Sequence, residues 1–188
     1  MLDLPVRPGE ISLLFIDESC MVVEADPIKY PWFALYNYWR SCIPAGATAP
    51  CAIDAAESLP EIAENLSVIS VLAKEYRYEF FGKMIAQRLG ADLTGKMTGG
   101  SSLVEAVKIS WHSLLDSVAR RHMPRLVRIE GGEDTVHYLI ALPTLNATGK
   151  TGQIIVGVFF DPRPTSKIVI RRWQRLDLEM EIQALEKR

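Results

Sequence analysis

Cysteine is scarce: Cys20, Cys42 and Cys51 are the only three, an odd number at spacings unlike paired CxxC arrangements. The histidines His112, His122 and His137 lie far from them in sequence, so neither a disulfide framework nor a structural zinc site is expected. Cationic excess is also missing, because 21 Lys and Arg stand against 23 Asp and Glu for a formal net charge of -2. Such a chain has no global field to hold it on a nucleic-acid backbone. Nor is there an uninterrupted apolar run of the ~18 residues that a membrane helix needs. The opening MLDLPVRPGE has neither the basic start nor the apolar stretch of a secretory signal. The expectation is a cytoplasmic protein that does not enter the membrane. What is present is ordinary globular composition, 48% apolar and 23% charged over 188 residues, enough for one domain with appendages.

The pattern along the chain divides it into four stretches. Residues 1–29 form an extension with two apolar runs, Ile11 to Ile16 and Cys20 to Val23, that read as a hairpin. Residues 30–65 hold an aromatic helix over Tyr30 to Cys42, with Trp32, Leu35, Tyr36 and Trp39 at helical spacing. A connector broken by Pro44, Gly46, Pro50 and Pro60 follows it. Residues 66–162 are the core. There SVISVL and YRYEFF read as adjacent strands, Lys83 to Leu89 as a short helix ended by Gly90, and Ser102 with Glu105 as a capping box. The helix so capped carries Leu103, Val107, Trp111, Leu114 and Val118 on one stripe. Three further strands are expected at Arg125 to Ile129, Thr135 to Leu142 and Gln153 to Phe160.

Strands joined by short turns favour antiparallel pairing, and one long helix must bury its stripe against a face of the sheet. The fold class is therefore α+β. Residues 163–188 form a basic-then-acidic tail. Arg163, Lys167, Arg171, Arg172 and Arg175 precede any acid, and Trp173, Leu176 and Met180 would share a stripe if the segment is helical, the reading favoured by its Leu, Glu, Met, Gln and Ala. Five charges followed by acids fit a solvated or partner-binding face better than a nucleic-acid site.

From about Tyr36 to Asp161 the chain resembles a family of PAS-like domains best known from alphaproteobacteria. The positions that carry the resemblance are Trp39, Ile53-Asp54, Leu59-Pro60, Tyr76-Arg77-Tyr78, Gly82, Asp92-Leu93-Thr94-Gly95 and the run HYLIALPTLNATGKTGQIIVGVFF. Glu79-Phe80 departs from the family, which commonly repeats a basic residue there. The resemblance implies a sensory or regulatory domain in signal transduction. It would have a five-stranded antiparallel sheet, a concave face under the long helix with room for a small molecule, and pairing into dimers through flanking helices.

Each specific chemistry finds little support in the residues. Gly90 to Lys96 has the glycine and lysine spacing of a phosphate loop, but Met97 stands where a magnesium-binding hydroxyl belongs, and the preceding segment is helical. Gly149-Lys150-Thr151 reads as a hairpin turn. Nucleotide binding is thus disfavoured. Haem is disfavoured because His112 lies off the apolar stripe and should face solvent, while His122 and His137 read as capping or surface residues. Flavin photochemistry lacks a cysteine on the Lys83 to Leu89 helix. Cys42 and Cys51 read as buried small hydrophobes, and Asp92 and Asp134 as turn carboxylates.

No catalytic residues are assigned. The expected function is a stand-alone regulatory domain acting through a homodimer or another signalling protein. Trp32, Leu35, Tyr36, Trp39, Trp173, Leu176 and Met180 are the interface candidates. A second reading is a small-molecule ligand among Tyr76, Tyr78, Phe80, Trp111 and Tyr138, if those strands turn the same face to the helix. A third is a small enzyme with an acid such as Asp134 beside a tyrosine in the cavity.

Overall fold

Pro31 supplies the preset φ of a first helical turn, and the aromatic stripe behind it gives that turn a face to bury, so Pro31–Ser41 forms α1. The computed structural model describes residues 31–51, 53–73, 75–100, 105–130, 136–160 and 172–175. The hairpin expected in residues 1–29, the proposed cap at Ser102 and the turn carboxylate Asp134 lie outside the described residues. In the connector, Asp54 accepts a hydrogen bond from the Glu57 N–H at 3.0 Å and so caps a single turn, α2 (Ala55–Ser58). A 3-10 helix at Pro60–Asn65 then leads into β1 (Leu66–Val71) and β2 (Tyr76–Phe81). After these come α3 (Lys83–Leu89), a 3-10 turn at Thr98–Gly100, α4 (Glu105–Arg121), β3 (Arg125–Glu130), β4 (Val136–Leu145), β5 (Thr151–Phe159) and β6 (Arg172–Arg175).

The class is α+β with an antiparallel sheet. Strand order is β2-β1-β5-β4-β3-β6, and each neighbouring pair is antiparallel. At residues 172–175 the sixth strand replaces the helix expected there, because they pair with β3, Trp173 opposite Ile129; the rest of the tail lies outside the described residues. Arg and Gln are good helix formers, but the edge of β3 offers this segment a ladder of backbone partners that an isolated helix turn would not use. Leu176 and Met180 fall outside the described residues.

β4 and β5 read as nearly continuous apolar runs because both of their faces are buried. Leu139, Ala141, Ile154, Val156 and Val158 share a cluster with Ile85 of α3 and with Trp111, Leu114, Leu115 and Val118 of α4. The alternate residues Ile140, Leu142, Ile155 and Phe159 share another with Trp32, Leu35, Tyr36 and Trp39 of α1. The aromatic stripe of α1, expected to be an exposed partner surface, is therefore core. A Cβ on Gly157 of β5 would lie 2.7 Å from Leu35 Cδ2, so the missing side chain is what lets α1 sit this close. Trp39 Nε1 donates to the Pro143 carbonyl at 2.7 Å. Pro143 lies beyond the end of β3, where β4 has a strand on one side only and a missing N–H is tolerated.

One irregularity redirects β2. Between Val68 and Ile69 the β1–β2 register shifts, with Val68 opposite Phe80 but Ile69 opposite Tyr78, so Glu79 has no partner. Parity flips after it. Tyr76, Tyr78 and Phe81 turn towards α4, and Phe80 turns out to solvent at 38% exposure.

Candidate functional site

Tyr76 and Tyr78 project from β2 into the cluster that holds α4, and Trp111 meets them there. Of the five residues grouped as a pocket from the sequence, these three come together. Phe80 is displaced by the bulge just described. Tyr138 has the opposite parity in β4 and stacks at a tilt against Trp32, ring centroids 5.9 Å apart, on the α1 side. The condition that the two strands present the same face to α4 is not met at these positions.

The fourth wall of the corner comes from the segment after α3. Gly90 ends α3 in the left-handed conformation at φ 75°, and Asp92 Oδ1 accepts from the Thr94 N–H at 2.9 Å and its hydroxyl at 2.7 Å. Those two bonds, the backbone one first, hold the Asp92 carboxyl below its ordinary range. The chain then runs along the outer edge of β2. Gly95 N–H donates to the Tyr78 carbonyl at 2.7 Å, the Tyr78 N–H donates to the Lys96 carbonyl at 3.0 Å, and Met97 bridges Arg77. This register places Thr98 beside Tyr76, on the face turned to α4. Gly90 to Lys96 is thus a helix cap and a strand-like edge in place of a phosphate cradle. Gly149 to Thr151 is the β4–β5 hairpin, where Asn146 Oδ1 accepts from the Thr148 N–H at 3.0 Å and the Lys150 N–H at 3.2 Å.

At the rim of the corner, the Tyr76 hydroxyl donates to Asp116 Oδ1 at 2.5 Å, and the other Asp116 oxygen meets Arg120 at 3.5 Å. His112 sits edge-on to the Tyr76 ring, centroids 5.6 Å apart, so it is half-buried where the sequence suggested a solvent-facing residue. The Tyr76 ring gives it an apolar neighbour that helical-wheel counting on α4 alone omits. His137 also departs from expectation: it is buried, its ring edge-on to Phe160 at 5.5 Å. His122 does cap α4, taking φ 56° and placing Nδ1 2.7 Å from Thr151 Oγ1. Cys42 is half-buried and Cys51 exposed, in the loop between α1 and α2, so neither is the buried small hydrophobe expected. Ala49 of that loop joins the α1 cluster and Ile43 and Ile53 pack against it, whereas neither cysteine does.

Both phenols of the corner are shifted upward. Burial is the larger cause at Tyr76, followed by the hydrogen bond to Asp116 and the Asp116 charge. Burial also dominates at Tyr78, where the nearby Trp111 indole acts in the opposite direction and more weakly. The unfolded chain, with phenols near their ordinary value of about 10, therefore loses these protons first as pH rises. Their contribution to stability is complete below pH ~10 and falls away above it, by at most about 1.4 kcal/mol per pH unit for each phenol. Urea unfolding of wild type and Tyr78→Phe between pH 9 and 11 should show a shallower alkaline decline in the variant. Parallel curves would remove Tyr78 from this account.

Two residues of the corner escaped the sequence reading. Asp116 lies four residues after His112 and four before Arg120, so a polar row beside the apolar stripe was legible. Its link to Tyr76 depends on how β2 lies under α4, and no local pattern carries that. Thr98 gave no sequence signal at all. Among the described residues no group of three or more His, Cys, Asp or Glu could hold a metal ion, and no helix is long and apolar enough to cross a membrane. No family model matches the sequence, and no curated protein matches it.

Proposed function

We propose that the chain is a PAS-like regulatory domain that works through protein–protein contact, pairing with a second copy of itself. The observation that carries this reading is the arrangement of the core: five antiparallel strands, β1 to β5, with α4 packed against one face. That is the layout the resemblance implies. Support for pairing comes from the half of the sheet that α1 leaves open. On the side away from α4, β1 and β2 present Phe80, the half-buried Val68 and, at the turn between the strands, Leu72 at 41% exposure. These apolar groups stand beside an exposed ion pair, Arg77 Nη2 to Glu79 Oε1 at 2.7 Å.

A twofold interface must be self-complementary, and a patch carrying adjacent charges of both signs around an apolar centre meets that demand. In a pair of copies, Arg77 of one subunit can face Glu79 of the other while Phe80 loses contact with water. The interface thus moves from the α1 stripe, which is core, to the outer side of β1 and β2.

Light scattering on the eluting protein at about micromolar concentration, where a standard interface is assembled, should give twice the 21.1 kDa chain mass. Phe80→Glu should give the single-chain mass with an unchanged melting temperature. A monomeric wild type would sink the pairing, and a dimer indifferent to Phe80→Glu would sink the surface.

A further inference from the structure

The loop between α1 and α2 folds back on itself and carries a cysteine on each leg. At its tip the Ala47 N–H donates to the Pro44 carbonyl at 3.0 Å, and Gly46 takes φ 80°, the left-handed value that the third position of such a turn needs. Ile43 on the way out and Ala49 on the way back meet the same apolar cluster. Both legs are also tied to one short stretch of β4. Trp39 Nε1 donates to the Pro143 carbonyl at 2.7 Å, and the Leu145 N–H donates to the Pro50 carbonyl at 2.8 Å. Pro143 and Leu145 are next-but-one neighbours in the strand, at most about 7 Å apart. Cys42 follows Trp39 by three residues and still bonds as a helical residue, its N–H reaching the Tyr38 carbonyl at 3.3 Å, while Cys51 directly follows Pro50. The two thiols thus stand at the base of one pinned reversal.

We propose that Cys51 is a site of oxidation by hydroperoxides and that Cys42 resolves it into a disulfide, which fastens the end of α1 to the connector. Exposure assigns the roles. Cys51 is open to solvent and meets the oxidant first, and the half-buried Cys42 reacts second. In the first step the Cys51 sulfur bonds to one peroxide oxygen, the O–O bond breaks, and the other oxygen leaves with the thiol proton as alcohol or water. In the second the Cys42 sulfur bonds to the Cys51 sulfur, the S–O bond breaks, and the departing hydroxide takes the Cys42 proton to give water. The thiols lose two electrons in all and the peroxide gains them.

A disulfide needs its Cα atoms within about 7 Å. The legs close to that distance without moving α1 or β4, because Ala45, Gly46, Ala47, Thr48 and Ala49 between the cysteines are all small. Pro44, Ala45, Gly46 and Thr48 are exposed, so the oxidant has free access. Cys20, the third thiol, lies outside the described residues.

The test treats the reduced full chain with hydrogen peroxide. Trypsin cuts after Arg40 and Lys74, so fragment 41–74 carries Cys42 and Cys51 but not Cys20. That fragment should lose the mass of two hydrogen atoms, and the oxidised chain should melt about 5 °C higher because the closed loop restricts the unfolded state. Dithiothreitol should reverse both changes. Cys42→Ser should leave Cys51 as a sulfenic acid that dimedone traps, and Cys51→Ser should leave Cys42 reduced. Overoxidation of Cys51 without the mass loss, a bond from either thiol to Cys20 or to a second chain, or closure with an unchanged melting temperature would overturn the pair. Every readout lies within one chain, so this site and the pairing surface fail separately.

Discussion

Gly82→Ala is expected to lose about 3 kcal/mol of folding stability, the upper end of what overpacking costs. An added Cβ would stand 2.3 Å from the Glu64 carbonyl oxygen and 2.6 Å from that of Leu66, and both are backbone atoms that cannot swing aside. The Gly82 N–H meanwhile donates to the same Leu66 oxygen at 2.8 Å, which ties the start of α3 to the start of β1. Its dihedrals, φ -59° and ψ 143°, suit any residue, so the requirement is for space. Gly90 supplies the control. There φ is 75° but nothing lies within 4 Å of an added Cβ, and Gly90→Ala should cost only about 1 kcal/mol for the left-handed backbone. Urea titration of both variants checks the pair, and equal midpoints would show that the β2–α3 junction is packed more loosely than described.

Trp39→Ala should be comparably severe, at about 3 to 5 kcal/mol. The substitution empties a buried space between α1 and β4 and leaves the Pro143 carbonyl without its donor. Trp39→Phe keeps most of the volume and should lose only the hydrogen bond, about 1 kcal/mol. This series separates the two roles that the aromatic stripe of α1 can have. As core, its truncation lowers the unfolding midpoint and leaves the mass of the folded fraction alone. As a docking face, it would do the reverse, and a stable but monomeric Trp39→Ala would return α1 to the list of interfaces.

Local patterns carried much of the fold. The steps between Trp32, Leu35, Tyr36 and Trp39 marked a helix, alternation in YRYEFF marked a strand, and Gly90 and Gly149 marked a helix end and a hairpin. What they could not carry was the assignment of faces. The runs LIAL and IIV in β4 and β5 already lacked the polar alternation of a half-exposed strand, a sign that their second face was also buried. Matched to the α1 stripe, that sign would have made the aromatics core.

The bulge at Val68 and Ile69 is a different case. A single unpaired residue in β2 changes which of Phe80 and Phe81 is inside, and nothing in EYRYEFFG distinguishes the two outcomes. The corner was half legible for the same reason: Tyr76, Tyr78 and Trp111 have strong apolar character, whereas Thr98 enters only through its pairing along the edge of β2. Tyr138 shows the limit of strand-by-strand reading, since alternation fixes its parity within β4 but not relative to β2.

The place of β1 beside β5 has a consequence for synthesis. Residue Ser67 faces Val156, so the first of the described strands waits for the fifth to emerge from the ribosome. Until then the β1–β2 pair and the β3–β4 pair can form only as separate pieces, and closure of the centre by β5 must be a late, long-range event. A chaperone or a pause in translation near the β4–β5 hairpin would act at the moment when that gap closes.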